Sequence, residues 1–192
     1  MGPRICVVGP SGSGKTTLAR LLSKKFEVPH VELDTSHWIG PGWTAADPVQ
    51  FRERVAEAIG GDAWVVDGNY SAILGDAVLE CVDDIVWLDL PRARILAQLV
   101  ARSLTRLVTR EELWNGIREA PREILRVVHV KDGSVRWREE NLFVWSMRSV
   151  DRSRTAWTKR FIRLGCRVHR VRKGEDLPRL VETLILLHRS PE

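Results

Sequence analysis

The stretch Gly9-Pro10-Ser11-Gly12-Ser13-Gly14-Lys15-Thr16 decides the fold of this chain. It fits the pattern G-x-x-x-x-G-K-[ST], follows the apolar run Ile5 to Val8, and opens a segment with helical apolar spacing. Glycines let the backbone wrap a phosphate closely, and the loop N–H groups and the helix N-terminus then face the anion. We expect Lys15 to reach the β- and γ-phosphate oxygens and Thr16 to ligate Mg²⁺. The loop, with Thr17 directly after it, therefore predicts a site for a nucleoside triphosphate.

Length and composition bound the remaining possibilities. The chain has 192 residues, 44% hydrophobic and 29% charged, which predicts one folded domain and excludes a disordered chain or a coiled coil. No apolar run approaches the ~20 residues of a membrane span, and Ile5 to Gly9 is too short for a signal peptide. The cysteines Cys6, Cys81 and Cys166 have no metal or redox spacing. We interpret them as buried thiols and predict a cytoplasmic protein without membrane contact.

Apolar runs of strand length alternate with helical patterns, which predicts a parallel sheet covered by helices on both faces. The predicted strands are Ile5 to Val8, His30 to Leu33, Ala63 to Val66, Ile85 to Leu88 and Arg167 to Val171. The predicted helices are Thr16 to Phe26, Val49 to Ile59, Ser71 to Val82, Pro91 to Val108, Trp137 to Leu164 and Leu177 to Leu187. Residues 109–136 break the alternation. We therefore predict a single domain, with a core of residues 1–108 and 137–192 and a lid at about 109–136.

The charge is unevenly distributed along the chain. Residues 1–91 hold 7 basic and 13 acidic side chains, whereas residues 92–173 hold 21 basic and 8 acidic ones. Arginine, which binds phosphate in a bidentate manner, supplies 18 of those 21 basic residues. The middle of the chain therefore favours contact with anions. A solvated helix face and a nucleic-acid surface are the alternatives.

Two aspartates follow predicted strands. Asp67 ends an apolar strand before Gly68, which places its carboxylate at the carboxyl edge of the sheet, where open α/β sheets bind ligands. Asp34 closes the second strand in the same way. A turn or helix-capping role is the alternative for both. Asp89 resembles a metal-binding carboxylate after the fourth strand, but we favour a structural role at the turn into the Pro91 helix.

Three arginines recur at intervals of four residues. Arg102, Arg106 and Arg110 would share one helix face, and like charges stacked in this way destabilise a helix unless an anion meets them. We expect them to contact the β- and γ-phosphates in the transition state. The alternative is surface ion pairing, with partners Glu111, Glu112 and Glu119.

The later blocks of the sequence add to the P-loop motif. They are Leu33-Asp34 with His37-Trp38 and Pro41-Gly42-Trp43, then Trp64 to Ser71, Leu88-Asp89-Leu90-Pro91-Arg92, Arg110 to Gly116, and Arg118-Glu119. In this order and spacing the chain resembles the adenylate-kinase-like small P-loop kinases. It is most similar to their branch of topology modulation proteins (the FlaR type).

The resemblance implies a three-layer α/β/α P-loop NTPase fold with a five-stranded parallel sheet and an Arg-rich helical lid. It also implies ATP as the donor and Mg²⁺, held by Thr16 and, through water, by Asp67. In related kinases an aspartate at the position of Asp34 binds the acceptor hydroxyl and takes its proton, and a role as a water-mediated Mg²⁺ ligand is the alternative. Arg118 belongs to the matched lid block, which implies phosphate contact.

The sequence departs from the adenylate kinases at two positions. Their Asp-Gly step continues to an arginine that grips the acceptor's phosphate, whereas this chain continues Asn69-Tyr70-Ser71. Gln98 stands where the first of their two lid arginines would lie. Trp38, Trp43 and Tyr70 are candidates for an aromatic wall against the acceptor, with core packing as the alternative. His37 is either a substrate contact or a packed histidine.

Three functions are consistent with these patterns. The leading one is a small-molecule kinase that transfers the γ-phosphoryl group of Mg·ATP to a nucleoside, a nucleotide or another hydroxyl compound. The second is a nucleic-acid-associated ATP-binding protein, and the third is an ATP-gated switch without a small acceptor. A GTPase is excluded because no lysine begins a Lys-x-Asp element. We expect a monomer or a homodimer.

Overall fold

The strands and helices follow the predicted alternation closely. A computed structural model describes residues 2–40, 43–68, 70–110, 112–118, 127–131, 134–138 and 142–188. The strands are β1 (Arg4–Val8), β2 (His30–Glu32), β3 (Trp38–Gly40), β4 (Thr44–Ala45), β5 (Trp64–Asp67), β6 (Asp84–Leu88), β7 (Val127–Lys131), β8 (Ser134–Arg138) and β9 (Arg167–Val171). The helices are α1 (Lys15–Phe26), α2 (Leu33–His37), α3 (Pro48–Ala58), α4 (Ser71–Leu74), α5 (Arg92–Thr109), α6 (Leu142–Leu164) and α7 (Leu177–His188).

The main sheet has five strands in the order β2-β5-β1-β6-β9, all parallel. Strand β1 lies in the centre, where Cys6 pairs with Val66 of β5 on one side and with Ile85 of β6 on the other. Both faces of the sheet are covered, which is why its central strands are continuous apolar runs. This architecture confirms the predicted three-layer fold class.

Alternation along β1 creates two hydrophobic cores. Cys6 and Val8 face the core that contains α3 and the C-terminal half of α6, including the buried Trp157. Ile5 and Val7 face the other core, which contains α1, α7 and the start of α5. The sheet is thereby held from both sides, and its carboxyl edge stays open for a ligand. Trp64 and Trp87, within strands, are buried as expected.

Two predicted helices differ from the structure. The helix expected from Ser71 to Val82 ends at Leu74, because Gly75 adopts φ 60° and ψ −130°, and a short 3₁₀ helix follows at Leu79–Cys81. Ser71 is the first helical residue and does not cap the helix.

The helix expected from Trp137 begins only at Leu142, and Trp137 lies in β8, which forms an antiparallel hairpin with β7. The sequence between these strands, Asp132-Gly133, is a strong two-residue hairpin signal that the helical interpretation missed. The period-2 alternation of Val135 and Trp137 indicates a strand as well. Both signals are local, and they outweigh the few apolar residues that suggested a helix here.

The lid region starts where α5 ends. Arg110 adopts the left-handed conformation (φ 51°) and caps the helix, with its N–H donating to the carbonyl of Arg106. A bridge between Glu112 and Arg118 and the β7–β8 hairpin are the described parts of the region that was expected to be helical. Residues 119–126 lie outside the description, so the division into core and lid stays a prediction.

The cysteines correct one expectation. Cys6 is buried, and burial raises its pKa to about 12, but Cys166 is only half-buried and Cys81 is exposed. The prediction of three buried thiols is therefore wrong for Cys81, which is the exposed last residue of the short 3₁₀ helix Leu79–Cys81, and it holds only in part for Cys166. Among the helices in the described part of the chain, none is both long and apolar enough to cross a membrane.

Candidate nucleotide and acceptor site

A cleft of about 390 Å³ lies at the carboxyl edge of the sheet. Its walls come from the P-loop and the start of α1, from the end of β2 and α2, from α5, and from residues 112–114. Of the residues predicted from the sequence, Lys15, Thr16, Asp34, Arg102 and Arg106 line this cleft together. The fold therefore brings most of the expected site to one place.

Hydrogen bonds within the P-loop hold its conformation, and the Pro10 carbonyl accepts two of them. Lys15 Nζ donates to the carbonyl of Pro10 at 3.0 Å, and the Ser13 N–H donates to the same carbonyl at 3.2 Å. Burial lowers the pKa of Lys15, while the nearby carboxylates of Asp34 and Asp67 oppose this shift. The lysine is thus folded back over the loop, close to where a phosphate would lie.

The loop also packs tightly against α5. Gly12 has φ +82°, and a Cβ atom there would lie 2.9 Å from the carbonyl oxygen of Ile95 and 3.0 Å from Cβ of Leu99. Only glycine fits both the backbone conformation and the space. The P-loop and the helix that carries Arg102 and Arg106 are therefore in direct contact.

Asp67 is nearly fully buried, at 3% exposure, and each of its carboxylate oxygens has a partner. Thr16 Oγ1 donates to Oδ2 at 2.6 Å, and His30 Nε2 lies 2.8 Å from Oδ1. Because the Thr16 hydroxyl donates its hydrogen bond to Asp67, the lone pairs of Thr16 Oγ1 remain for a metal ion. Hydroxyl and carboxylate oxygens are the hard ligands that Mg²⁺ prefers, so these residues fit the predicted ion. Both hydrogen-bond partners of Asp67 are distant in the sequence, so these hydrogen bonds are not those of a local turn or a helix cap.

Asp34 lies in α2, directly after β2. Tyr70 donates its hydroxyl to Asp34 Oδ1 at 2.5 Å. Burial raises the pKa of Asp34, opposed by the Tyr70 hydrogen bond and by the Lys15 ammonium group. No side chain caps α2, whose N-cap residue is Glu32, so the capping alternative for Asp34 is not observed. A half-buried carboxylate with a raised pKa in this cleft is suited to accept a proton.

The four predicted arginines divide into two pairs. Arg102 and Arg106 are half-buried on the cleft side of α5. Arg110 is exposed and does not line the cleft, because its left-handed conformation ends the helix before the expected face continues. Arg118 is also exposed, and its guanidinium lies 3.9 Å from the carboxylate of Glu112, as in the ion-pair alternative.

The segment 112–118 is docked onto the opposite wall of the cleft. Trp114 Nε1 donates to Glu32 Oε1 at 3.0 Å, and Asn115 Nδ2 donates to the carbonyls of Trp38 at 2.6 Å and Thr35 at 3.2 Å. These hydrogen bonds join a predicted lid segment to the loop expected to bind the acceptor. Sequence reasoning identified the block but gave Glu32 and Asn115 no role, since pairs 77–82 residues apart leave no local signal.

The aromatic residues near Asp34 pack against one another. His37 is 2% exposed and packs among Trp38, Phe51 and Tyr70, and burial lowers its pKa to about 4. It is therefore a packed histidine, the second of the two alternatives. Trp43 contacts Trp38 edge-on, with ring centroids 5.3 Å apart, and extends the row towards the segment 112–118. Tyr70 packs on Phe51 in the core, and none of Trp38, Trp43 and Tyr70 lines the cleft, so the aromatic wall against the acceptor stays a prediction.

Other carboxylates of the sheet are paired with arginine. Asp89 is 6% exposed and accepts from Arg154 and Arg170 at 2.6 Å each, so it has the structural role expected of it. Asp84 is fully buried and accepts hydrogen bonds from Nε and Nη2 of Arg167. Outside the sheet, Arg160 and Arg163 both form ion pairs with Asp76.

Comparisons with known proteins agree with this geometry at the level of the fold. The profile of the ATPase family associated with various cellular activities (AAA) matches residues 5–66, less than half of the chain. The shikimate kinase from Bacteroides thetaiotaomicron superimposes with a TM-score of 0.54 at 14% sequence identity, covering 97% of this chain and 98% of that one. The shikimate kinase from Acinetobacter baumannii, in complex with shikimate, gives a TM-score of 0.53 at 18% identity, covering 97% and 93%. No curated protein sequence matches the chain.

These comparisons show a P-loop NTPase fold shared with shikimate kinases. The AAA match contains the P-loop and ends at Val66, directly before Asp67. The two structural likenesses cover the whole length of the fold, including the strands and helices after residue 66.

Proposed function

We propose that this protein is a small-molecule kinase that transfers the γ-phosphoryl group of Mg·ATP to a hydroxyl or phosphate group of a nucleoside, a nucleotide or a similar small acceptor. One observation carries the proposal. A single cleft is lined by Lys15, Thr16, the half-buried Asp34, Arg102 and Arg106, and Thr16 donates a hydrogen bond to the buried Asp67. A P-loop alone indicates nucleotide binding, whereas the added carboxylate and arginines supply what phosphoryl transfer needs.

The donor site consists of the P-loop residues 9–17. Their N–H groups and the N-terminus of α1 bind the phosphates, and Lys15 moves from the Pro10 carbonyl to the β- and γ-phosphate oxygens. Thr16 and Asp67 hold Mg²⁺, Thr16 by its hydroxyl oxygen and Asp67 through water. When bound, the ion neutralises charge on the β- and γ-phosphates.

Asp34 orients the acceptor and takes its proton. The acceptor oxygen forms a bond to the γ-phosphorus, the bond from that phosphorus to the β–γ bridging oxygen breaks, and ADP leaves. The proton of the acceptor hydroxyl passes to Asp34 Oδ2, since Oδ1 already accepts from Tyr70. A raised pKa makes the carboxylate a better proton acceptor, and positioning supplies most of the remaining rate enhancement.

Arg102 and Arg106 stabilise the charge that spreads over the transferring phosphoryl group. Both line the cleft on the side facing the P-loop, and α5 holds them through its contact with Gly12. Arg110 and Arg118, which were predicted with them, have weaker support because neither lines the cleft. They would reach phosphate only if the segment after α5 moved.

Part of the basic excess of the middle section is paired with carboxylates inside the fold. Five of its arginines pair with three carboxylates, namely Arg160 and Arg163 with Asp76, Arg167 with Asp84, and Arg154 and Arg170 with Asp89. This pairing favours the kinase over the nucleic-acid alternative. We further propose membership of the topology modulation branch, a cytoplasmic location, and a monomer or homodimer.

The proposal is tested by ADP release from Mg·ATP in the presence of nucleosides, nucleoside monophosphates, shikimate, sugars and other hydroxyl compounds. We expect one acceptor class to raise the rate well above the ATP-only background. Lys15→Ala serves as the blank, and Lys24→Ala, at an exposed position in the last turn of α1, serves as a matched lysine variant that retains activity. In the same assay, Arg102→Ala is expected to lower kcat by about a hundredfold or more.

Two results would contradict the kinase. Slow ATP turnover that no acceptor stimulates would favour the ATP-gated switch. Turnover or binding that responds only to DNA, and falls steeply with salt, would favour the nucleic-acid-associated protein.

A further inference from the structure

His30 is the second partner of the buried carboxylate at the candidate metal site. It begins β2, which pairs in parallel with β5, in a register that sets Glu32 beside Asp67 and His30 beside Val65. From there the ring reaches along the strand direction, and Nε2 lies 2.8 Å from Asp67 Oδ1. The His30 side chain is 15% exposed and that of Asp67 3%, so the contact is largely shielded from water.

The chemistry of the pair fixes its direction. An ionised carboxylate oxygen only accepts hydrogen bonds, so His30 Nε2 carries the hydrogen and donates it. Thr16 Oγ1 donates to the other oxygen. With one donor on each oxygen, the plane of the carboxylate is held by β2 on one side and by α1 on the other.

The hydrogen bonds to the Asp67 carboxylate described above come from a hydroxyl and an imidazole. The carboxylates that serve structure in this protein, Asp84 and Asp89, each bind arginine instead. A carboxylate that accepts one hydrogen bond on each oxygen, from a hydroxyl and an imidazole, keeps further lone pairs and most of its negative charge for a cation. The arrangement thus orients the Asp67 carboxylate as a metal ligand and leaves room for the metal ion.

We propose that His30 is a positioning residue for Mg²⁺, holding the Asp67 carboxylate in the orientation that binds the ion's water. The inference rests on the proposed function, because it needs Mg·ATP at the P-loop. His30 touches neither the nucleotide nor the ion in this assignment and acts through Asp67. Its removal should therefore weaken the contribution of Mg²⁺ and leave the contribution of the triphosphate itself intact.

Two substitutions with the same amide group separate this role from a structural one. His30→Gln places an amide nitrogen about as far from the backbone as Nε2, so it can still donate to Asp67. His30→Asn is one methylene shorter and cannot. Both variants keep a polar side chain on β2, and their thermal unfolding midpoints provide the check that both are folded.

The measurement is the Kd of ATP by titration calorimetry, once with saturating Mg²⁺ and once with EDTA. The ratio of the two values gives the Mg²⁺ contribution to binding. We expect His30→Asn to reduce this ratio by about tenfold, the lower end of the effect of losing a partner of a metal ligand, and His30→Gln to stay within about threefold of the wild type. Binding in EDTA should be nearly equal in all three proteins.

Three outcomes overturn the inference. One is an unchanged Mg²⁺ contribution in His30→Asn. Another is an equal loss of ATP affinity with and without Mg²⁺, which a general structural role would produce. The third is equal behaviour of the Asn and Gln variants, which would mean that reach to Asp67 is irrelevant. If His30→Asn does not fold, a loss of Mg²⁺ contribution in the folded His30→Gln protein also contradicts the inference.

Failure of the proposed function gives a different signature. If the wild type binds no ATP, or if Lys15→Ala binds it equally well, the P-loop assignment fails and this inference fails with it. If the wild type binds ATP through Lys15 but without any Mg²⁺ dependence, only the metal assignment and His30 are overturned.

Discussion

Two sets of carboxylates, in the strands of the main sheet or shortly after them, have different partners. Asp34 and Asp67, beside the cleft, accept from the hydroxyls of Tyr70 and Thr16 and, for Asp67, from His30. Asp84 and Asp89, in and after β6, accept from arginines. Both sets satisfy the rule that buried polar groups are hydrogen-bonded, but only the second carries a guanidinium on each carboxylate.

The difference separates carboxylates available for chemistry from those used for stability. An arginine neutralises the charge of its carboxylate and occupies lone pairs on both oxygens, so the carboxylate binds a metal ion or a proton less readily. Hydroxyl groups orient a carboxylate and leave its charge in place. The same substitution, aspartate to asparagine, should therefore affect activity in one set and stability in the other.

Asp34→Asn gives the largest expected effect. It removes the proton acceptor, so kcat for the best acceptor should fall by about a thousandfold, within the range typical of a general base. Because burial disfavours the charge of Asp34, a neutral amide there should leave the thermal midpoint unchanged or raise it. Steady-state kinetics and a melting curve on the same preparation measure both effects. A variant that retains a tenth or more of the activity would rule out Asp34 as the base.

Asp84→Asn should show the opposite result. The carboxylate is fully buried among His169, Arg167 and His188, and its loss should lower the free energy of unfolding by about 3 kcal/mol, as when one partner of a buried ion pair is removed. For a chain of this length that corresponds to a fall of about 6–12 °C in Tm, with kcat retained below the transition. If the Asp84→Asn variant kept full stability but lost activity, the assignment of Asp84 to stability would be wrong.

The pH dependence of stability sharpens the Asp84 prediction. Burial alone would raise the pKa of Asp84, but the hydrogen bonds from His169, Arg167 and His188 outweigh it and lower the pKa below its usual range. A carboxyl group with a lowered pKa in the folded state stabilises the protein at neutral pH, and this stability is lost as the pH falls through the acid range. Urea unfolding of the wild type at decreasing pH should show this loss, and the Asp84→Asn variant should show less of it.

Tyr70→Phe gives the smallest expected effect. It removes one hydrogen bond from Asp34 but keeps the ring packed against His37 and Phe51, so kcat/KM near neutral pH should fall by about fivefold, the worth of one hydrogen bond. Because that bond lowers the pKa of Asp34, its loss should move the acid limb of the pH–rate profile to higher pH. The profile is measured with wild type and variant in the same buffers. An acid limb that does not move would mean that another group controls it.

Local patterns predicted the fold and the centre of the site well. Short-range signals of spacing, turn chemistry and apolar runs predict the P-loop, the aspartates near the ends of β2 and β5, and the strand Arg167–Val171. The arginine periodicity predicted one face for three residues, but Arg110 adopts a left-handed conformation that periodicity does not encode. The roles assigned to these residues stay predictions.

Long-range partners could not be predicted in the same way. His30 meets Asp67 only because β2 lies next to β5, and the sequence order of strands does not give that neighbourhood. Trp114 meets Glu32, 82 residues away, for a similar reason. The hairpin of β7 and β8 is the exception, since Asp132-Gly133 was a local signal that was available and was missed.

The contact of Gly12 with α5 makes the loop and the helix one mechanical part. With Ile95 and Leu99 against the loop, any side chain at position 12 would push on the helix about one to two turns before Arg102. The P-loop is therefore mechanically coupled, through α5, to the part of the helix that carries Arg106. We thus expect a displacement of the P-loop to shift Arg102 and Arg106 as well.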